Sequence, residues 1–126
     1  MKDFKKYYIL NATPEEVYAA LTQPATIQLW SGTEATMSTE PNSEFSLWEG
    51  SIEGLNVEFE KDKKIVQQWY FGEQEEPSIV TFKLFADKNK TSIDLRHTNI
   101  PDEDYEDIVA GWNEVYMGSL IEFYEE

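Results

Sequence analysis

Residues 101–126, PDEDYEDIVAGWNEVYMGSLIEFYEE, decide the architecture. Tyr105, Ile108, Val109, Trp112, Tyr116, Ser119, Leu120 and Phe123 recur at spacings of three and four, the stripe of one long helix with a single buried face. Such a face needs an apolar surface to lie on. The middle of the chain offers one, because Val57, Phe59, Trp69, Phe82, Leu84, Ile93 and Leu95 fall in runs that alternate apolar with polar at period two. The fold class is therefore α+β: a curved antiparallel sheet wrapped on a C-terminal helix.

Upstream, residues 2–10 read as a first strand that Asn11-Ala12 breaks. Thr13-Pro14-Glu15-Glu16 then starts a helix. Thr13 can accept a backbone N–H as N-cap, Pro14 suits a position whose N–H is orphaned anyway, and Glu16 completes a capping box. That helix runs to about Thr22, and Pro24 opens a second short turn carrying Ile27 and Trp30. Strands follow at 34–39, 44–48, 51–60, 64–71, 78–86 and 91–98, separated by turn residues, with a polar loop at 72–77. With the first strand these make seven. Short connections between consecutive strands imply an antiparallel meander. Leu55, Val57 and Phe59 should share the inner face with Val80, Phe82 and Leu84 and with Ile93, Leu95 and His97. For 65–71 the face is ambiguous, since Ile65, Gln67, Trp69 and Phe71 compete with Val66, Gln68 and Tyr70. An inward Gln67 would make that part of the interior less dry.

At 126 residues the chain has the size of one domain, spanning 1–126. Its formal net charge is −15, and beyond Arg96 it carries nine Asp or Glu and no Lys or Arg. Such a surface repels phosphate backbones and anionic headgroups, so neither nucleic acid nor membrane is an expected partner. The absence of Cys excludes disulfides, thiol catalysis and cysteine metal sites, and a single His makes no His-based metal site. No cofactor is implied. The N-terminus lacks an apolar signal core, which points to the cytoplasm.

The order of strand, helix pair, meander and long terminal helix is the helix-grip arrangement. Local motifs sharpen it: the 11–22 segment from Asn11 to Thr22, Leu29-Trp30, Phe45-Ser46-Leu47 with Gly50 and Gly54, Ile65-Val66-Gln67-Gln68-Trp69, Ser78-Ile79-Val80-Thr81-Phe82, and Gly111-Trp112. Together they resemble the family related to the C-terminal domain of the activator of Hsp90 ATPase, within the START and Bet v 1-like superfamily. Asn42-Ser43-Glu44 stands where members usually carry a glycine pair, and Thr98-Asn99-Ile100-Pro101 replaces a glycine-containing loop.

The resemblance implies a cavity between sheet and terminal helix, lined here by Trp30, Leu47, Val57, Phe59, Trp69, Phe82, Leu95, His97, Trp112 and Tyr116. The competing expectation is that eighteen aromatic side chains, each burying roughly 150–250 Å², fill the same space. Three functions follow. The first is non-catalytic binding of a small hydrophobic ligand, and the second is an Hsp90-associated interaction domain with a chaperone partner. The third is cyclase-like acid–base chemistry using His97 and Tyr116. Against the third, a lone His with no fixed carboxylate makes no triad, and a structural role for His97 is the simpler expectation. Gly111 and Gly118 inside the helix each cost roughly 1 kcal/mol relative to Ala, which calls for close approach to the sheet or room for a bound molecule.

Overall fold

The computed structural model describes residues 1–72 and 76–125; Glu73–Glu75, within the loop expected at 72–77, and Glu126 lie outside the described residues. Strands β1 (Lys2–Leu10), β2 (Glu44–Leu47), β3 (Ile52–Glu60), β4 (Lys64–Trp69), β5 (Ser78–Asp87) and β6 (Lys90–Ile100) form one antiparallel sheet. Their order is β1-β6-β5-β4-β3-β2. The meander from β2 to β6 is the expected one, and β1 closes the far edge against β6. No helix among the described residues is long and apolar enough to cross a membrane.

The sheet has six strands, not seven. Of the segment expected at 34–39, only Thr36 pairs, in a single bridge to Ser46. Beyond it Met37 turns into the core, and the Ser38 carbonyl accepts its hydrogen bond from the Asn56 side-chain amide at 3.2 Å instead of from a strand. Asn42 takes a left-handed φ of 70°, which asparagine tolerates, and its N–H donates to the Asn56 carbonyl at 2.7 Å.

Helix α1 (Pro14–Thr22) begins with the capping box read from sequence: Thr13 Oγ1 accepts from the Glu16 N–H at 3.3 Å, and Glu16 Oε1 accepts from the Thr13 N–H at 3.1 Å. Helix α2 (Pro24–Ser31) follows directly and stops at Gly32, whose φ of 84° suits a residue without Cβ. Trp30 locks the pair by donating its indole N–H to the Ala20 carbonyl at 2.7 Å.

Strand β3 departs from its pattern. Asn56 pairs with Gln67 and Glu58 with Val66, so Val57 is an extra residue, a bulge that shifts the register. Gly54 and Asn56 therefore face the core, Leu55 and Phe59 are half-buried, and Val57 is 39% exposed. This corrects the expected inward face and removes Val57 from the interior. On β4 the ambiguity resolves in favour of Ile65, Gln67 and Trp69. Gln67 is buried at no penalty because it is paired on both sides. Trp69 Nε1–H donates to Gln67 Oε1 at 3.1 Å, and Gln67 Nε2–H donates to Asn56 Oδ1 at 3.2 Å.

The terminal segment is helical throughout but not one regular α-helix. A 3₁₀ turn (Asp102–Asp104) leads into α3 (Tyr105–Ala110), then a π-helical turn (Gly111–Tyr116), then α4 (Met117–Phe123). Within the π turn the Met117 N–H reaches back five residues to the Trp112 carbonyl. The additional residue per turn brings Met117 into the core beside Tyr116 and leaves the expected Ser119 half-buried. It also explains Gly118. A Cβ there would lie 2.9 Å from the Asn113 carbonyl oxygen, which the widened turn pushes against it. Gly118 serves the helix's own geometry, not a bound molecule.

Candidate functional site

The wedge between sheet and helix is occupied by rings. Trp69 stacks on Trp112 with centroids 4.8 Å apart, Trp112 lies 4.7 Å from Tyr116, and Phe82 meets Trp112 edge-on at 5.8 Å. Leu47, Phe82 and Leu95 are fully buried and are not part of the cleft described below. Trp30 lies behind them, 5.7 Å from Trp48 and 5.2 Å from Tyr116. Phe59 belongs to a separate groove beside α1, with Tyr18 and Met37. Of the ten residues expected to line a cavity, Trp69, Trp112 and Tyr116 together line a cleft outside this wedge.

It is an open cleft of about 430 Å³ at the edge of the aromatic cluster. One wall is the β2–β3 connection with Trp48 and Ile52, another is the end of β4 with Tyr70 and Phe71, and the third is the helix face carrying Ile108, Gly111 and Val115. Sequence reasoning missed Trp48, which sits just past the end of β2. Trp48, Glu49 and Gly50 have φ values of 49°, 56° and 91°, three left-handed residues in succession. For the two non-glycine residues this conformation costs on the order of 1–3 kcal/mol each, and it persists because the Trp48 indole is anchored by a 3.2 Å hydrogen bond to the Ser31 carbonyl. Gly50 beside Trp48 was the one available signal.

Tyr116 forms the inner wall. It is 3% exposed and lines the cleft. Burial pushes its pKa upward, so it remains a neutral phenol. Glu53 and Asp107 are the charged residues of the lining.

His97 lies behind Trp112 and Trp69 and is completely buried. Trp112 Nε1–H donates to His97 Nδ1 at 3.0 Å, which makes Nδ1 the acceptor and places the ring proton on Nε2. Nε2–H then donates to Ser78 Oγ at 2.8 Å, and the Ser78 hydroxyl donates to the Thr98 carbonyl at 3.0 Å. Both nitrogens are used, and His97 is no part of the cleft lining. The dyad of Ser78 and His97 fixes a tautomer inside the core, and acid–base work by His97 on a molecule in the cleft has no path. Among the described residues no cluster of His, Asp or Glu could hold a metal ion.

Burial lowers the His97 pKa from 6.5 to about 3, against the opposing attraction of Asp3. Between those values the unfolded chain takes up a proton that the native chain refuses. Stability contributed by neutral His97 is thus complete above pH 6.5 and is lost as the pH falls toward 3, by up to about 1.4 kcal/mol per unit. Urea unfolding followed from pH 7.5 down to 5, above the range where ordinary carboxylates titrate, should show this slope. A flat profile would mean that the native imidazole is protonated or solvated.

A family model described as "Activator of Hsp90 ATPase homolog 1-like protein" matches residues 11–125. An uncharacterized protein of Schizosaccharomyces pombe is 27% identical over 124 residues, covering 97% of this chain and 34% of that protein. The "Activator of 90 kDa heat shock protein ATPase homolog" of Dictyostelium discoideum is 28% identical over 105 residues, 81% of this chain and 27% of its own length. The chain thus spans about a third or less of the length of these curated relatives. Among solved structures, an HSP90 activator from Plasmodium falciparum superposes with a TM-score of 0.81 at 29% identity, over 94% of this chain and 97% of that one.

Proposed function

The chain belongs to the Activator of Hsp90 ATPase homolog 1-like family, and from that premise we propose that it acts as a chaperone-directed interaction domain. The observation that carries this reading is the end-to-end correspondence with the Plasmodium falciparum HSP90 activator, which is matched over nearly its whole solved chain. The packing supports it. Trp69, Trp112, Tyr116 and Phe82 pack ring against ring in the wedge where the superfamily resemblance implies a ligand. A filled wedge fits a function carried by the surface.

Purified chain mixed with Hsp90 is expected to form a complex on size exclusion and to raise the Hsp90 ATPase rate. Neither association nor stimulation, with the chain shown to be folded by circular dichroism, would overturn the reading.

A second reading is favoured by one feature, the open cleft beside the π turn. At about 430 Å³ it falls within the size range of small-molecule sites, and its walls are mostly aromatic and aliphatic. Under this reading the small apolar ligand expected from sequence is retained but is moved from the interior to the flank of the π turn.

A further inference from the structure

We propose that the cleft beside the π turn binds a small organic ammonium cation with a planar apolar body, held by indole faces and by the carboxylates of Glu53 and Asp107. The proposal rests on the second reading above, that this cleft is a ligand site. Its charge selectivity is independent of the chaperone reading.

The recognition chemistry comes from three features of the lining. Trp48, Trp69 and Trp112 supply aromatic surface, whose faces carry the negative lobe of the ring quadrupole and attract cations. Their N–H groups are spent on Ser31, Gln67 and His97, so none is available to receive an anion. The charged lining residues are both acidic, and no Lys or Arg is among them. Among the charged lining residues an anionic ligand would meet only carboxylates, whereas a cation meets carboxylates beside aromatic rings. Neutral apolar ligands gain the burial alone.

The ligand class is therefore an arylalkylammonium, with its cation near Glu53 and Asp107.

The test follows the indole N–H resonances of the ¹⁵N-labelled chain during separate titrations with 2-phenylethylammonium, phenylacetate and phenylacetamide, in about 0.15 M salt to screen non-specific attraction to the acidic surface. The expected result is saturable shifts at the cleft indoles with the cation, at a Kd about tenfold below that of either other probe. The double variant Glu53→Gln, Asp107→Asn should remove that preference and leave phenylacetamide binding unchanged. Equal affinity for the three probes overturns the cation assignment and leaves the cleft reading standing. No saturable shift with any probe overturns both.

Discussion

Gly54→Ala is expected to destabilise the protein by about 4 kcal/mol, a large share of the 5–15 kcal/mol that holds a typical domain together. Gly54 lies on the inner face of β3, between Phe45 on β2 and Trp69 on β4. A Cβ at this position would overlap the Gln68 carbonyl oxygen and stand 2.7 Å and 2.9 Å from two carbons of the Phe45 ring. One obstacle is backbone in the β3–β4 ladder and the other is a core ring, so neither can yield as an exposed side chain would. The strands have to part, or Phe45 has to leave its rotamer. Gly111→Ala is the matched control: its added Cβ meets nothing, its φ of −60° is helical, and alanine should stabilise by up to about 1 kcal/mol. Urea unfolding of both variants decides the point. A Gly54→Ala loss under about 1 kcal/mol would show that β3 is free to move away from β4.

The same residue shows where the sequence was legible and where it was not. The meander could be read because Val80, Phe82 and Leu84 and then Ile93, Leu95 and His97 keep one unbroken period-two pattern, and the buried face enforces it. Leu55, Val57 and Phe59 form an equally clean pattern, yet the backbone does not follow it. Gly54 and Asn56 are inside because Phe45 needs the space above one and the Gln67–Ser38 network needs the amide of the other. The bulge at Val57 reconciles this with an inward Phe59 opposite Ile65. Periodicity counts apolar residues and has no way to register a glycine chosen for its absence of side chain, or a polar residue whose partners are distant in sequence.

The site was hidden for a related reason. The stripe through Tyr105, Ile108, Trp112, Tyr116 and Leu120 identified the helix and three of the cleft residues, since spacings of three and four survive a single π turn. That turn is set by five-residue hydrogen bonding, and its one trace in the sequence is Gly118. The count of aromatic rings was the better guide to the interior, because volume, not pattern, decides whether a wedge is empty. With Trp69, Trp112 and Tyr116 packed together at the centre, a concavity opens where the chain's strained turn sets Trp48.

Trp112 joins these layers, and its replacement is expected to have the other large effect. Trp112→Ala removes a ring that packs against Trp69, Phe82, His97 and Tyr116, and should cost about 3–5 kcal/mol through lost burial and the void left behind. Trp112→Phe separates packing from hydrogen bonding. It keeps most of the ring but takes the donor from His97 Nδ1, leaving a buried acceptor unpaired at about 1–3 kcal/mol. The lost N–H had favoured the neutral imidazole, so in this variant the native His97 pKa rises from about 3 toward its ordinary 6.5. Less proton uptake then separates the folded and unfolded chains on acidification, and the stability of Trp112→Phe declines less steeply below pH 6.5 than that of the parent. Unfolding free energies at pH 7.5 and pH 4, where carboxylate contributions common to both proteins cancel in the difference, should therefore show the deficit of Trp112→Phe shrinking as the pH falls. A deficit that stays constant across that interval would reduce Trp112 to a packing residue and remove the indole–imidazole bond from the account of why His97 is neutral.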